Sequence, residues 1–251
     1  MSDKLNTLVV VPGHAIYFGN NQWGGAFAVP ERIYDETPLL GAHIEAGVKY
    51  AEEASGSLLV FSGGQTRKEC GQISEAFGYM QYAKEHLGLS KIESRITTEE
   101  FARDSFENVL FSIHRFWQWT KNWPDKVIVL GYGFKKERFE YHAEYLNNKL
   151  EKFKIGVGFE FEYRGVNDPQ DFILEDVIDE ETAKVIKKGS RTGEADTLSD
   201  FKCEAGEGNM SLSDDAKDEA KQRLAAKRKG RDCFRRGNPY FDNPDSWSCQ
   251  Y

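Results

Sequence analysis

Four short polar motifs carry the groups that could do chemistry in this sequence. They are Ser62-Gly63-Gly64, Ser74-Glu75, the run Glu99-x-x-Ala102-x-x-Ser105-x-x-Asn108, and Arg138 at a helix start. Two glycines after a strand let the backbone approach a ligand closely and turn N–H groups toward an anion. Arg138 brings a planar fork that suits phosphate or carboxylate. Glu75 and Glu99 are the candidate general bases, or carboxylate ligands of a divalent metal. Asn108 would orient a substrate. His14, just after Pro12-Gly13 at the end of the first strand, would face the same ligand. Each group also has a plainer reading. A glycine pair can be a tight turn, and Glu75 in a first helical turn complements the helix dipole. Asp104 with Glu107 reads as a helix cap, and Arg138 taken alone reads as a solvated surface residue.

Other chemical signatures are missing or incomplete. Gly131-Tyr132-Gly133 has the outline of a nucleophile elbow with no Ser or Cys at its centre. There is no Walker loop and no Gly-x-Gly-x-x-Gly fingerprint. The five histidines show no metal-ligand spacing, and His114 and His142 lie within helical patterns, where packing or surface roles are expected. Cys70 lies near Arg67 and Lys68 and reads as an inert thiol. The four cysteines form no Cys-x-x-Cys pair, which points to free thiols in a reducing compartment.

The elements that must position these groups alternate. Apolar runs "TLVVV", "LLVF" and "KVIVL" read as buried strands, "IESRI" as a short one, and "VGFEFEY" as a half-buried edge strand. Helical stripes fall between them: Leu40, Ile44, Val48 and Ala51; Phe77, Met80, Ala83 and Leu87; Phe106, Val109, Leu110, Ile113 and Phe116; Phe139, Ala143, Leu146 and Leu150. Thr37 is the expected cap of the first helix, with Pro38 at its first position. Strand–helix alternation predicts an α/β fold, a Rossmann-like open and mostly parallel sheet with helices on both faces. Ligands of such sheets bind at the carboxyl ends of the strands.

The α/β pattern covers residues 1–168. Glu175 to Asp215 then holds twelve acidic and five basic residues, so residues 169–216 read as an acidic helical or flexible insertion. Residues 217–251 form a basic and aromatic extension expected to pack on the body, with nine Lys or Arg against three acids between Lys217 and Arg236. The net charge of -8 argues against nucleic-acid binding through a basic surface. The N-terminal apolar run of four residues is too short for a signal peptide or a membrane span, so a cytoplasmic protein is expected.

Taken in order, the motifs resemble those of the domain of unknown function 218 family. That family shows Ser-Gly-Gly after a strand, a Ser-Glu-Ala helix start, a Glu-x-x-Ser-x-x-Thr-x-x-Asn run and His-x-x-Arg after a later strand. The matching positions are Ser62-Gly63-Gly64, Ser74-Glu75-Ala76, Glu99 to Asn108, and Lys135-x-x-Arg138, across roughly residues 5 to 165. A fungal-type eukaryotic branch also shares "YRGVNDP" and a tail similar to "KRKGRDCFRR–NPY". Ala102 and Ser105 depart from the family's serine and threonine, and Lys135 from its histidine. Lysine keeps a cation but titrates far higher. The resemblance implies a Rossmann-like polar cleft whose ligand contacts include Ser62, Gly63, Gly64, Ser105, Asn108, Lys135 and Arg138. It also brings an association with S-adenosylmethionine. Two functions follow: an enzyme acting on a small anionic, phosphorylated or nucleotide-like molecule, or a non-catalytic sensor using the same cleft.

Overall fold

The computed structural model describes residues 4–25, 36–153, 158–168, 221–226 and 228–229. In chain order the elements are β1 (Thr7–Pro12), β2 (Ile16–Gly19), β3 (Gln22–Gly24), α1 (Thr37–Glu53), β4 (Ser57–Ser62) and α2 (Glu75–His86). They continue with β5 (Ile96–Glu99), α3 (Ser105–Thr120), β6 (Lys126–Tyr132), α4 (Lys136–Phe153) and β7 (Glu160–Asn167). Five strands form one sheet in the order β5-β4-β1-β6-β7, and every neighbouring pair is parallel. The chain winds outward from β1 through β4 to β5, then crosses back to β6 and β7. That reversal puts a topological switch point between the carboxyl ends of β1 and β6, where a crevice opens in doubly wound sheets.

Strand alternation decides which side chains meet which helices. Leu8, Val10, Leu58, Val60, Val127 and Val129 point to one face, against Val109, Ile113 and Phe116 of α3 and Phe139, Ala143 and Leu146 of α4. Val9, Val11, Leu59, Phe61, Ile128 and Leu130 point to the other, against Ile44, Val48 and Ala51 of α1 and Ala76, Tyr79 and Ala83 of α2. Both faces are covered, so the strands read as unbroken apolar runs. β7 is one of the two edge strands, with Tyr163 buried and Glu160 exposed.

Several local expectations shift. The cap of α1 is Glu36, and Thr37 is already helical, with Pro38 still in the first turn where it removes no needed donor. The buried stripe of α2 is Ala76, Tyr79 and Ala83, while Phe77 is exposed, so the face is rotated by one residue. The predicted strand at "IESRI" starts only at Ile96, because Glu93–Arg95 form a 3-10 turn. The β2–β3 hairpin was not anticipated. Its turn is Asn20-Asn21, and both residues have positive φ, the left-handed pair that a tight hairpin turn requires.

Part of the C-terminal extension lies on the body. Residues 221–226 and 228–229 are helical, Leu224 is buried, and Arg228 reaches α3. The acidic stretch 169–216, Arg231, Arg235, Arg236, Tyr240, Phe241, Trp247 and three of the cysteines lie outside the described residues. Among the described residues no helix is long and apolar enough to cross a membrane.

Candidate functional site

The predicted site residues all gather at the carboxyl edge of the sheet, but the sheet divides them. Ser62 follows Val60 by two residues, so it points toward α3 and α4. Glu99 is its register partner on β5 and points the same way. Gly63, one residue on, faces α2. The one-residue offset sends adjacent motif positions to opposite faces.

On the α3 side, Ser62 Oγ lies 2.6 Å from Glu99 Oε2 and 2.9 Å from Asn108 Oδ1. Glu99 Oε1 accepts from the backbone amides of Phe101 at 2.6 Å and Ala102 at 3.1 Å. Glu99 is 1 % exposed, and burial lifts its carboxyl to about 7 despite those hydrogen bonds. This geometry does not suit a general base or a metal ligand: Oε1 holds the loop that leads into α3, and Oε2 accepts from Ser62. Among the described residues no three His, Cys, Asp or Glu side chains come close enough to share a metal ion.

That loop ends at Asp104, which caps α3 by accepting from Glu107 N at 2.9 Å. Glu107 turns back to accept from Arg103 N at 2.9 Å and pairs with the Arg103 guanidinium. The capping pair expected from sequence is therefore present, displaced by one residue on its return arm. Ser105 Oγ contacts His142 Nε2 at 2.9 Å. His142 is 1 % exposed, and burial, with Arg138 nearby, pushes its imidazole down to about 3. Arg138 itself is buried in the first turn of α4, contrary to the solvated reading. Burial would raise the Asp104 carboxyl, but Arg228 and the Glu107 amide hold it below its ordinary value.

The glycine pair does not form the expected anion cradle. Gly63 N donates to Glu99 O at 2.9 Å and Gly64 N to Ala102 O at 2.7 Å. The physical need for glycine here is close approach. A Cβ on Gly63 would lie 2.6 Å from Glu75 Oε2, and one on Gly13 would lie 2.5 Å from Glu75 Cβ. Glu75 is buried under these two loops with Thr66 Oγ1 bonded to its Oε1. Its carboxylate thus sits on the α2 side, across the sheet from Asn108 and Arg138.

The switch point holds a second cluster, of which the sequence motifs named only His14 and Lys135. Tyr132, the last residue of β6, stands at its centre. Its hydroxyl donates to Glu36 Oε2 at 3.1 Å. His14 Nε2 lies 3.6 Å from the same oxygen, and its ring meets Tyr132 edge-on at 6.0 Å. Lys135 Nζ sits 5.1 Å from the Tyr132 ring centroid. His43, 4.6 Å from that ring, bonds Asn167 Oδ1 at 2.8 Å, and burial lowers it to about 4, with Lys135 adding to the shift. Phe134 N donates to Asp168 at 2.9 Å, which fixes the turn carrying Lys135. The His14 side chain is 36 % exposed while Glu36 is 5 % exposed, so the histidine faces outward from a buried carboxylate. Glu36 was missed because it sits in no recognisable motif, and Tyr132 because it was weighed only as the centre of a nucleophile-elbow outline without Ser or Cys. Their one sequence signal was place: Tyr132 ends the clearest strand and Glu36 precedes the Thr-Pro helix start.

The chain is similar to an uncharacterized protein of Saccharomyces cerevisiae, at 32% identity over 32% of this chain and 39% of that one. It thus spans about two fifths of the length of that relative. No family profile matches the chain, and no solved structure matches it with significance.

Proposed function

We propose that this protein is an enzyme acting on a small anionic molecule, phosphorylated or nucleotide-like, bound at the switch point between β1 and β6. The observation that carries the reading is the placement of His14 and Lys135 beside Tyr132, at the switch point where doubly wound sheets take their ligands. Lys135 supplies a cation beside an aromatic face, an arrangement suited to an anion carried on a planar ring. The resemblance to the domain of unknown function 218 family supports the same edge of the fold. The α3-side network of Ser62, Glu99 and Asn108 then serves as scaffold, because its polar atoms are turned on one another.

The test is a thermal-shift panel of inorganic phosphate, nucleotides, sugar phosphates and S-adenosylmethionine, followed by calorimetry and turnover assays on any binder. Lys135→Ala is expected to weaken the binder about ten- to hundredfold, the loss of a charge-assisted contact of about 1.5–3 kcal/mol. Binding with no turnover by any member of the panel would favour a sensor using the same crevice. The sealing of Glu99, a carboxylate expected to do chemistry, is the observation on that side.

A further inference from the structure

Glu36 has no role in the sequence motifs, yet it is a buried carboxylate with two partners at the crevice. Tyr132 donates to its Oε2 at 3.1 Å, and His14 Nε2 approaches the same oxygen at 3.6 Å. Its position is fixed by the backbone as well. Glu36 caps α1, with its carbonyl accepting from Leu39 N at 3.0 Å and Leu40 N at 3.2 Å. A carboxylate at a helix N-terminus is favoured by the helix dipole. The imidazole beside it is half exposed, so it alone of the pair can meet a ligand. Acid–base histidines are held in this way: a fixed carboxylate orients one ring nitrogen and stabilises the charge that forms when the other takes a proton.

We propose that Glu36 is the positioning carboxylate of His14, and that the pair makes His14 the proton-transfer group of the crevice. The proposal rests on the switch-point reading above and adds the residue that gives it acid–base chemistry. Glu36 sets its negative charge beside Nε2 of His14 at ion-pair distance, which favours the tautomer with the proton on Nε2. Nδ1 then accepts a proton from a ligand O–H or N–H, and the imidazolium is held beside Glu36 until it returns that proton to an oxygen or nitrogen of the ligand. Tyr132 keeps Glu36 in place. Other groups face the pair from every side. Arg67 donates to His14 O at 3.1 Å, Lys135 and His43 flank Tyr132, and Tyr79 and Glu75 lie beneath the loop from α2. Lys135 and Arg67 oppose the protonated imidazole, and Glu36 is a carboxylate within ion-pair reach of it.

The experiment is an NMR titration of the His14 ring in the ligand-free full chain, in the native sequence, Glu36→Gln and Glu36→Asp. Glu36→Gln is expected to lower the His14 midpoint by about one unit, the loss of an opposite charge within reach of the ring. Glu36→Asp should restore part of the shift. The reciprocal variant, His14→Gln, changes a half-exposed side chain and is expected to raise the titration of the Glu36 carboxyl carbon. It decides the matter if Glu36→Gln does not fold. A His14 midpoint unmoved by Glu36→Gln, or a Glu36 carboxyl unmoved by His14→Gln, overturns the proposal. The titration needs no ligand, so a failed ligand screen sinks the switch-point reading without deciding this pair, and an unmoved titration sinks the pair alone.

Discussion

Arg228 donates through Nε to Asp104 Oδ2 at 2.6 Å, joining residues 124 positions apart in the chain. Asp104 caps α3, and its other oxygen already holds the Glu107 amide. The C-terminal segment therefore neutralises a buried carboxylate at the head of a core helix. Leu224, one turn earlier, is buried in the same segment. The extension is thus part of the folded body at these positions.

Removing that arginine strands a buried charge. Arg228→Ala is expected to cost about 3 kcal/mol, the low end for breaking a buried pair. The arginine side chain keeps some solvent contact, which sets the cost at that end. Asp104→Asn, which keeps the cap and removes the charge, should cost less. Urea denaturation of both variants makes the comparison. A loss under about 0.5 kcal/mol for Arg228→Ala, typical of a surface change, contradicts the packed extension.

Lys135 and Arg138 should separate function from stability. Arg138 is buried against His142. Arg138→Ala is therefore expected to destabilise by about 1–3 kcal/mol. Lys135 is half-buried over Tyr132. Lys135→Ala should leave stability nearly unchanged, as surface substitutions do, while weakening anion binding. Melting curves and calorimetry on the two variants check this. The opposite pattern would move the anion site to the α3–α4 side.

Stability should depend on pH through two opposed sets of groups. His43 and His114 are lowered to about 4 and His142 to about 3, in each case first by burial. Their unfolded values lie near 6.5, so the unfolded chain takes up protons first. Stability from these groups is full above about pH 6.5 and is lost as pH falls toward the folded values. Glu99 runs the other way. Its folded value is about 7, raised chiefly by burial, so the folded state holds a proton that the unfolded state releases between about 4.5 and 7. Its contribution falls as pH rises through that window. Three histidines against one carboxyl predict a net loss of stability on acidification below about pH 6.5. Glu99→Gln copies the protonated form. Its stability relative to the native sequence should rise between about pH 4.5 and 7 and level off above that, measured by denaturation at pH 5, 7 and 9. A pH-independent difference rules out the buried, proton-holding carboxyl.

Gly63 is held by contact and by its backbone. Gly63→Ala puts a Cβ 2.6 Å from Glu75 Oε2 and 2.9 Å from Glu75 Cβ, at a φ of 157°, so the start of α2 must shift. An overpacking cost of about 1–3 kcal/mol is expected. At Gly71 no atom lies within 4 Å of an added carbon, but φ is positive. Gly71→Ala therefore isolates backbone strain from steric contact. Equal losses in the two variants, measured by urea denaturation, would leave the Glu75 contact without effect.

Much of this fold was legible because its strands are buried on both faces and its helices carry apolar stripes. β1, β4 and β6 appear where the runs of Val, Leu and Ile lie, and Asp104 caps α3 as its spacing requires. Period-2 geometry explains what was not legible. Ser62 and Gly63 are adjacent in one motif yet face opposite layers, so no spacing rule could show that Glu75 and Asn108 are separated by the sheet. The N–H groups of Gly63 and Gly64 are consumed by carbonyls of the 99–102 loop, a partner distant in sequence that local pattern does not reveal. Glu36 and Tyr132 meet across 96 residues, and only the β1–β6 crossover brings them together.

Whether the ligand crevice lies between β1 and β6 is decided by amide chemical-shift mapping of the full chain. The ligand is whichever phosphate, nucleotide or S-adenosylmethionine compound the thermal-shift panel selects. Shifts are expected to concentrate at Gly13, His14, Gly133, Phe134 and Lys135, and to disappear at the same ligand concentration in Lys135→Ala. Shifts centred on Ser62, Asn108 and Arg138 that persist in Lys135→Ala, or no binding across the panel, would contradict the switch-point site.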